Sequence, residues 1–343
     1  GLFQTLVIVT LASSVTFLTG LSLAALATNM KVEGGGAYYI ISRSLGVEIG
    51  AAIGIPLFFA QALGVSFYAA GFAESFCELF PFYSVRAVSL TVLLALTVLT
   101  LKSADLALKT QFLVMALIVA SLVSFFSGRL PDVLPEPAQP ASAGTSFWMV
   151  FAVFFPAVTG IEAGLAMSGD LKDSARSLPR GTIAAVLTGY VVYMAIPVWL
   201  SYQVANREML LQYPLIMRHF ARFGGYTVVG GVWAAALSSA TGALLGAPRT
   251  LQAMSRDRIL PPIFARGFGK GGDPRVATAG AFAVALGGVL FGGIDLIAPV
   301  LSMFFLTSYA LLNLSAALEE LTAPPSWRPV FRVPWPVSLA GAL

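Results

Sequence analysis

The chain has 343 residues, of which 57% are apolar and only 10% charged, with a mean hydropathy of +0.85. Soluble domains carry about 25% charged residues, so this composition excludes a soluble globular protein and points to a polytopic α-helical membrane protein. Alternating strands of an outer-membrane barrel are absent. The net charge of +4 and pI near 9.3 would suggest nucleic acid in a soluble chain. Here the basic residues lie between apolar runs, where they report topology, and no nucleic-acid partner is read.

Taken in order, apolar runs long enough to cross a bilayer fall at about 3–28, 48–76, 83–101, 107–128, 147–168, 181–203, 225–250, 276–292 and 296–318, and another begins near 334. They are expected to form one transmembrane domain over 1–343. The first run starts at Gly1 without Met, basic flank or cleavage motif, so it is not a signal peptide, and the last run stops at Leu343. The sequence reads as an internal piece of a longer protein. The connectors 29–47, 102–109, 169–180, 249–275 and 319–332 hold fifteen of the twenty Lys and Arg residues. The positive-inside rule puts them in the cytoplasm. The first span then starts outside, and a cytoplasmic N-terminus would require an odd number of spans before Gly1.

In the first connector, Gly34, Gly35 and Gly36 allow a tight turn, and Tyr38, Ile40 and Ile41 fit a short amphipathic helix at the membrane interface. A phosphate cradle is disfavoured, since no Gly-Lys-Ser/Thr follows and no strand precedes. The single Cys77 permits no internal disulfide, and the lone His219 has no metal-ligand partner in sequence and reads as a surface histidine.

The stretch Phe154-Phe-Pro-Ala-Val-Thr-Gly-Ile-Glu-Ala-Gly164 differs from the other apolar runs. Pro156 removes a backbone donor, and Gly160 permits a turn out of helical geometry. A helix broken at mid-membrane presents carbonyls at one end and N–H groups at the other, so one end can hold a cation and the other an anion. A Pro kink repaired by neighbouring helices fits this stretch as well.

Gly34-Gly-Gly-Ala-Tyr-Tyr39 followed by Ser42-Arg-Ser-Leu-Gly46 resembles the loop after the second helix in the amino acid–polyamine–organocation superfamily. The fuller form from Ala27 to Gly46 is similar to the cation-chloride cotransporters. The likeness continues in Tyr68-Ala-Ala-Gly-Phe-Ala-Glu74, in Phe154-Phe-Pro-Ala-Val-Thr-Gly-Ile161 with Ser168-Gly-Asp-Leu171, and in Ser238-Ser-Ala240 with Gly246-Ala-Pro-Arg249. It extends through Phe304-Phe-Leu-Thr-Ser-Tyr-Ala310 to Ser326-Trp-Arg-Pro329. The resemblance implies the family's second to tenth helices, with the first and the last two absent or cut. It also implies an incomplete LeuT-like fold of two inverted five-helix repeats.

By this resemblance a potassium site would use the Pro156 carbonyl with the hydroxyls of Thr159 and Tyr68. Chloride would take the N–H groups of Gly160 and Ile161, with Tyr309 donating. Sodium would take the Ser238 and Ser239 hydroxyls and the Ala235 carbonyl. Adjacent serines also serve plain helix packing, and intramembrane tyrosines also serve as packed anchors. The serine pair resembles the sodium-coupled branch, whereas Gly293-Ile-Asp-Leu-Ile-Ala-Pro299 looks more like the potassium-chloride branch. Glu74, at the outer end of its span, would pair with a first-helix arginine as an outer gate, or simply snorkel.

Glu162 departs from the cotransporters, which have an apolar residue there. A carboxylate just after the N–H groups would oppose chloride if it faced the site, making the chain proton-sensitive or chloride-independent; protonation in the membrane interior, or a partner on another helix, are the alternatives for it. The function implied is secondary symport of a monovalent cation, K⁺ with Na⁺ admitted, together with Cl⁻ across the cell membrane. The implied partners are the bilayer and these ions; a homodimer is admitted, and no organic cofactor is implied. An intramembrane enzyme would need a constellation such as His-Glu-x-x-His, and none is present. An amino acid permease binding a substrate carboxylate at Gly160, or a non-transporting subunit, are the alternatives.

Overall fold

The computed structural model describes residues 1–29, 35–102, 110–130, 146–166, 173–204, 208–213, 215–268 and 272–343. The Ser168–Leu171 motif, residues 30–34 of the first connector and Arg207 lie outside them.

Helices dominate because apolar side chains cover them on all faces and every backbone group inside a bilayer must be satisfied internally. In chain order they are α1 (Leu2–Asn29), α2 (Gly36–Ser44), α3 (Val47–Leu79), α4 (Val85–Lys102), α5 (Gln111–Phe126) and α6 (Phe147–Phe154). Then follow α7 (Glu162–Ala166), α8 (Ser174–Gln203), α9 (Glu208–Gln212), α10 (Gly225–Arg256), α11 (Arg275–Phe291), α12 (Ile294–Thr322) and α13 (Trp335–Ala342). Among the described residues, seven segments are long and apolar enough to cross a membrane: α1, α3, α4, Phe147–Leu165, α8, α10 and α12. The apolar helices α5 and α11 are shorter. This is a polytopic helical membrane protein.

Helix α3 is the central post, packed against α10, α12, α11 and α4, while α1 lies between α8 and α12. Small residues let the backbones approach. A Cβ on Gly288 of α11 would sit 2.3 Å from the Ser66 hydroxyl of α3. Buried polar groups act as ties: Asn313 of α12 donates to the Thr19 hydroxyl of α1 at 2.8 Å and to the Gly341 carbonyl of α13 at 3.0 Å.

The charge-assigned connector sets separate in space. On one side Arg43 meets Asp257, the Asn29 side chain accepts from the Arg328 backbone, and Lys102 shares a crevice with Arg275. On the other, Glu78 pairs with Arg218 at 3.2 Å and the Arg222 amide donates to the Ser124 carbonyl. Connector helix α2 differs from the interfacial helix expected of it. Tyr38, Ile40 and Ile41 are fully buried, and α2 packs on α3 and α10 instead of on lipid.

Candidate ion-binding site

The run from Phe147 is a broken helix. Helix α6 starts at Ser146, whose hydroxyl accepts the Met149 amide at 3.3 Å, a standard N-cap. It tightens into a 3₁₀ turn over Phe155–Val158, Thr159 is extended, and α7 begins at Glu162. At the break Gly160 takes φ +98°, where an L side chain is strained.

The carbonyls freed by the break find side-chain donors, as a membrane interior requires. The Ala152 carbonyl accepts from the Ser302 hydroxyl of α12, Pro156 from the Thr159 hydroxyl at 2.9 Å, and Ala157 from the Tyr193 hydroxyl of α8 at 2.8 Å. The Gly160 amide donates to the Tyr309 hydroxyl at 3.3 Å, so α12 holds the start of the second half. The break is thus pinned from both sides, not merely repaired as a kink.

Two cavities flank it. The first, about 270 Å³, is lined by Tyr68 of α3, Thr159, Gly160 and Glu162 of the break, and Ser238 and Ser239 of α10. Six residues singled out in the sequence therefore face one space. The second, about 300 Å³, lies against α1 and α8 and is lined by Thr159, Gly160 and Ile161 with Ser13, Tyr190 and Tyr193. Thr159 and Gly160 belong to both.

Other sequence-read residues sit outside these spaces. Pro156 is buried and bonded to Thr159, Tyr309 is enclosed behind Gly160, and Ala235 lines neither cavity. Glu74 is exposed near the outer end of α3, and the Asp295 carboxylate acts on it electrostatically. His219 lies half-buried in a turn against the Tyr213 ring, not on the open surface. Burial and the adjacent Arg218 hold its pKa below the usual value. Among the described residues no group of three His, Cys, Asp or Glu side chains could hold a metal ion.

Gln61 of α3 and Gln111 at the start of α5 also line the first cavity, and sequence reasoning missed both. Gln111 accepts the Ser238 hydroxyl proton. The available signal was an amide side chain inside an apolar run, which is costly unless partnered.

Compared with known proteins, residues 1–334 match the amino acid permease family. The chain belongs to that family. It is 34% identical to solute carrier family 12 member 2 of Mus musculus and 31% identical to solute carrier family 12 member 1 of Mus musculus. It is also 34% identical to a bumetanide-sensitive sodium-(potassium)-chloride cotransporter of Manduca sexta. Each match covers this whole chain and 34%, 37% and 38% of the respective relative. The chain therefore spans about a third of the length of the curated relatives it matches. The likeness to cation-chloride cotransporters carried by the motifs extends along this whole permease-family chain.

Proposed function

We propose that this chain forms the transport core of a secondary active symporter that moves a monovalent cation together with chloride across the cell membrane. The observation that carries the proposal is the broken helix. Hydroxyl and side-chain amide oxygens suited to a cation converge on one cavity, and backbone N–H groups begin the second half at Gly160. In this reading Tyr68, Pro156 and Thr159 hold K⁺, Gly160, Ile161 and Tyr309 hold Cl⁻, and Ala235, Ser238 and Ser239 hold Na⁺ if sodium is coupled. The relative named as a sodium-(potassium)-chloride cotransporter favours these ions. Alternating access follows if ion binding shifts the balance between outward- and inward-open states, with residues 1–343 contributing most of two inverted five-helix repeats. The proposed ions need no organic cofactor, and a homodimer is compatible with the fold.

The size of the first cavity favours a second reading. About 270 Å³ exceeds what one dehydrated ion fills, so an amino acid whose carboxylate meets the Gly160 amide is the rival substrate. Rubidium uptake into proteoliposomes carrying the complete gene product separates the two. Uptake lost when gluconate replaces chloride supports cotransport. Absent rubidium uptake with accumulation of labelled amino acids supports the permease reading.

A further inference from the structure

Glu162 presents an electrostatic problem that the proposed ion sites leave unsolved. Its side chain is 1% exposed, and neither carboxylate oxygen makes a well-formed hydrogen bond among the described residues, although the Tyr309 hydroxyl interacts with it. It lines the first cavity, whose lining among the described residues includes no Lys, Arg or His. An unpaired carboxylate in a membrane interior is costly and requires a counter-charge. The cavity wall offers one a place. Tyr68, Thr159 and Ser239 bring hydroxyls, and Gln61 and Gln111 bring amides. Ser238 gives its proton to Gln111, so the remaining lone pairs of the Ser238 oxygen are left to face a cation.

We infer that Glu162 is a direct carboxylate ligand of the transported cation, in a site that Ser238 and its positioning partner Gln111 complete from α10 and α5. The inference rests on reading the chain as a cation transporter. It also removes the conflict between a carboxylate and the neighbouring chloride donors. Glu162 lines only the first cavity and Ile161 only the second, while Thr159 and Gly160 between them border both, so a cation at Glu162 would neutralise the carboxylate beside the chloride donors.

Protons and cations then compete for one carboxylate. Among the described residues, the other titratable groups that act on it are the phenols of Tyr68 on α3 and Tyr309 on α12, with Tyr193 on α8 acting on Tyr68. The cavity-facing residues of α5 and α10, Gln111, Ser238 and Ser239, do not titrate.

The test is a rubidium gluconate titration of the thermal midpoint of the complete gene product in detergent, against an N-methylglucamine control. The wild type should be stabilised by rubidium at pH 8, with a half-effect concentration at least tenfold higher at pH 5.5. Glu162→Gln should lose the stabilisation, or need at least tenfold more rubidium with no pH dependence. Gln111→Ala should weaken it several-fold while keeping the pH dependence. No rubidium effect in the wild type, or a Glu162→Gln titration matching the wild type, overturns the inference. If Glu162→Gln does not fold, the wild-type pH arm decides: a half-effect concentration unchanged between pH 5.5 and 8 overturns the inference. Chloride-dependent uptake that Glu162→Gln leaves intact would sink the Glu162 site and spare cotransport. Glu162-dependent rubidium binding with chloride-independent uptake would do the reverse.

Discussion

Arg43 and Asp257, 214 residues apart in sequence, form a two-pronged ion pair at 3.0 and 3.1 Å that locks connector helix α2 to the end of α10. The Tyr38 hydroxyl donates to the same carboxylate at 2.6 Å from a fully buried ring. Burial pushes the Asp257 carboxyl up, but hydrogen bonds from Arg43 and Tyr38 outweigh it and hold the pKa below its ordinary value. A depressed folded-state pKa adds stability that is complete above the unfolded value, about 3.9, and is lost as pH falls through the lowered one. Asp257→Asn should therefore cost about 1–2 kcal/mol, since charge-assisted bonds to a half-exposed arginine and a buried phenol are removed. The thermal midpoint of the variant should trail the wild type by a constant margin from about pH 5.5 to 8 and close on it only in stronger acid. A margin that shrinks between pH 8 and 6 would mean another group carries the latch.

Gly160 isolates the conformational part of the break. A Cβ there would meet nothing within 4 Å, so Gly160→Ala adds no clash. Its φ of +98° nonetheless strains an L residue by about 1–3 kcal/mol. Uptake in proteoliposomes should fall by about five- to 150-fold at equal protein incorporation. Unchanged uptake would show that the break tolerates ordinary backbone geometry.

How much of this was legible beforehand depended on local chemistry. Pro156 and Gly160 announced the break because each changes the backbone by itself. Alternating charge sorted the connectors because it needs no partner. The burial of α2 was not legible, because Tyr38 and Arg43 find Asp257 only across the folded bundle. Read alone, the apolar face of α2 suits lipid as well as protein. Gln61 and Gln111 were missed for a related reason: an amide carries no motif, and its role appears only when α3, α5 and α10 enclose one space.

Gly288 tests the packing of α11 on α3. Gly288→Ala would place a Cβ 2.3 Å from the Ser66 oxygen and 2.9 Å from its Cβ, far inside van der Waals contact. The helices must shift, at about 1–3 kcal/mol for overpacking. The paired change Ser66→Gly with Gly288→Ala should recover much of the lost thermal stability. A double variant no more stable than Gly288→Ala would show that the backbones, not this contact, set the spacing.

Tyr309 separates the two ions. Its hydroxyl accepts the Gly160 amide, so removing it takes away that N–H's partner at the cavity wall and withdraws a donor from the proposed anion site. Tyr309→Phe keeps the ring against Phe155 and Phe305, so the fold should survive. Losing one such hydrogen bond is worth about 1–2 kcal/mol, which corresponds to a five- to thirty-fold rise in half-saturating chloride. Half-saturating rubidium should move less than half-saturating chloride, because the proposed cation oxygens of Tyr68, Thr159 and Ser238 line a cavity whose described lining does not include Tyr309, which reaches that side through Glu162. Equal loss for both ions would assign Tyr309 to the shape of the break, and an effect on rubidium alone would place the cation on its side of the helix.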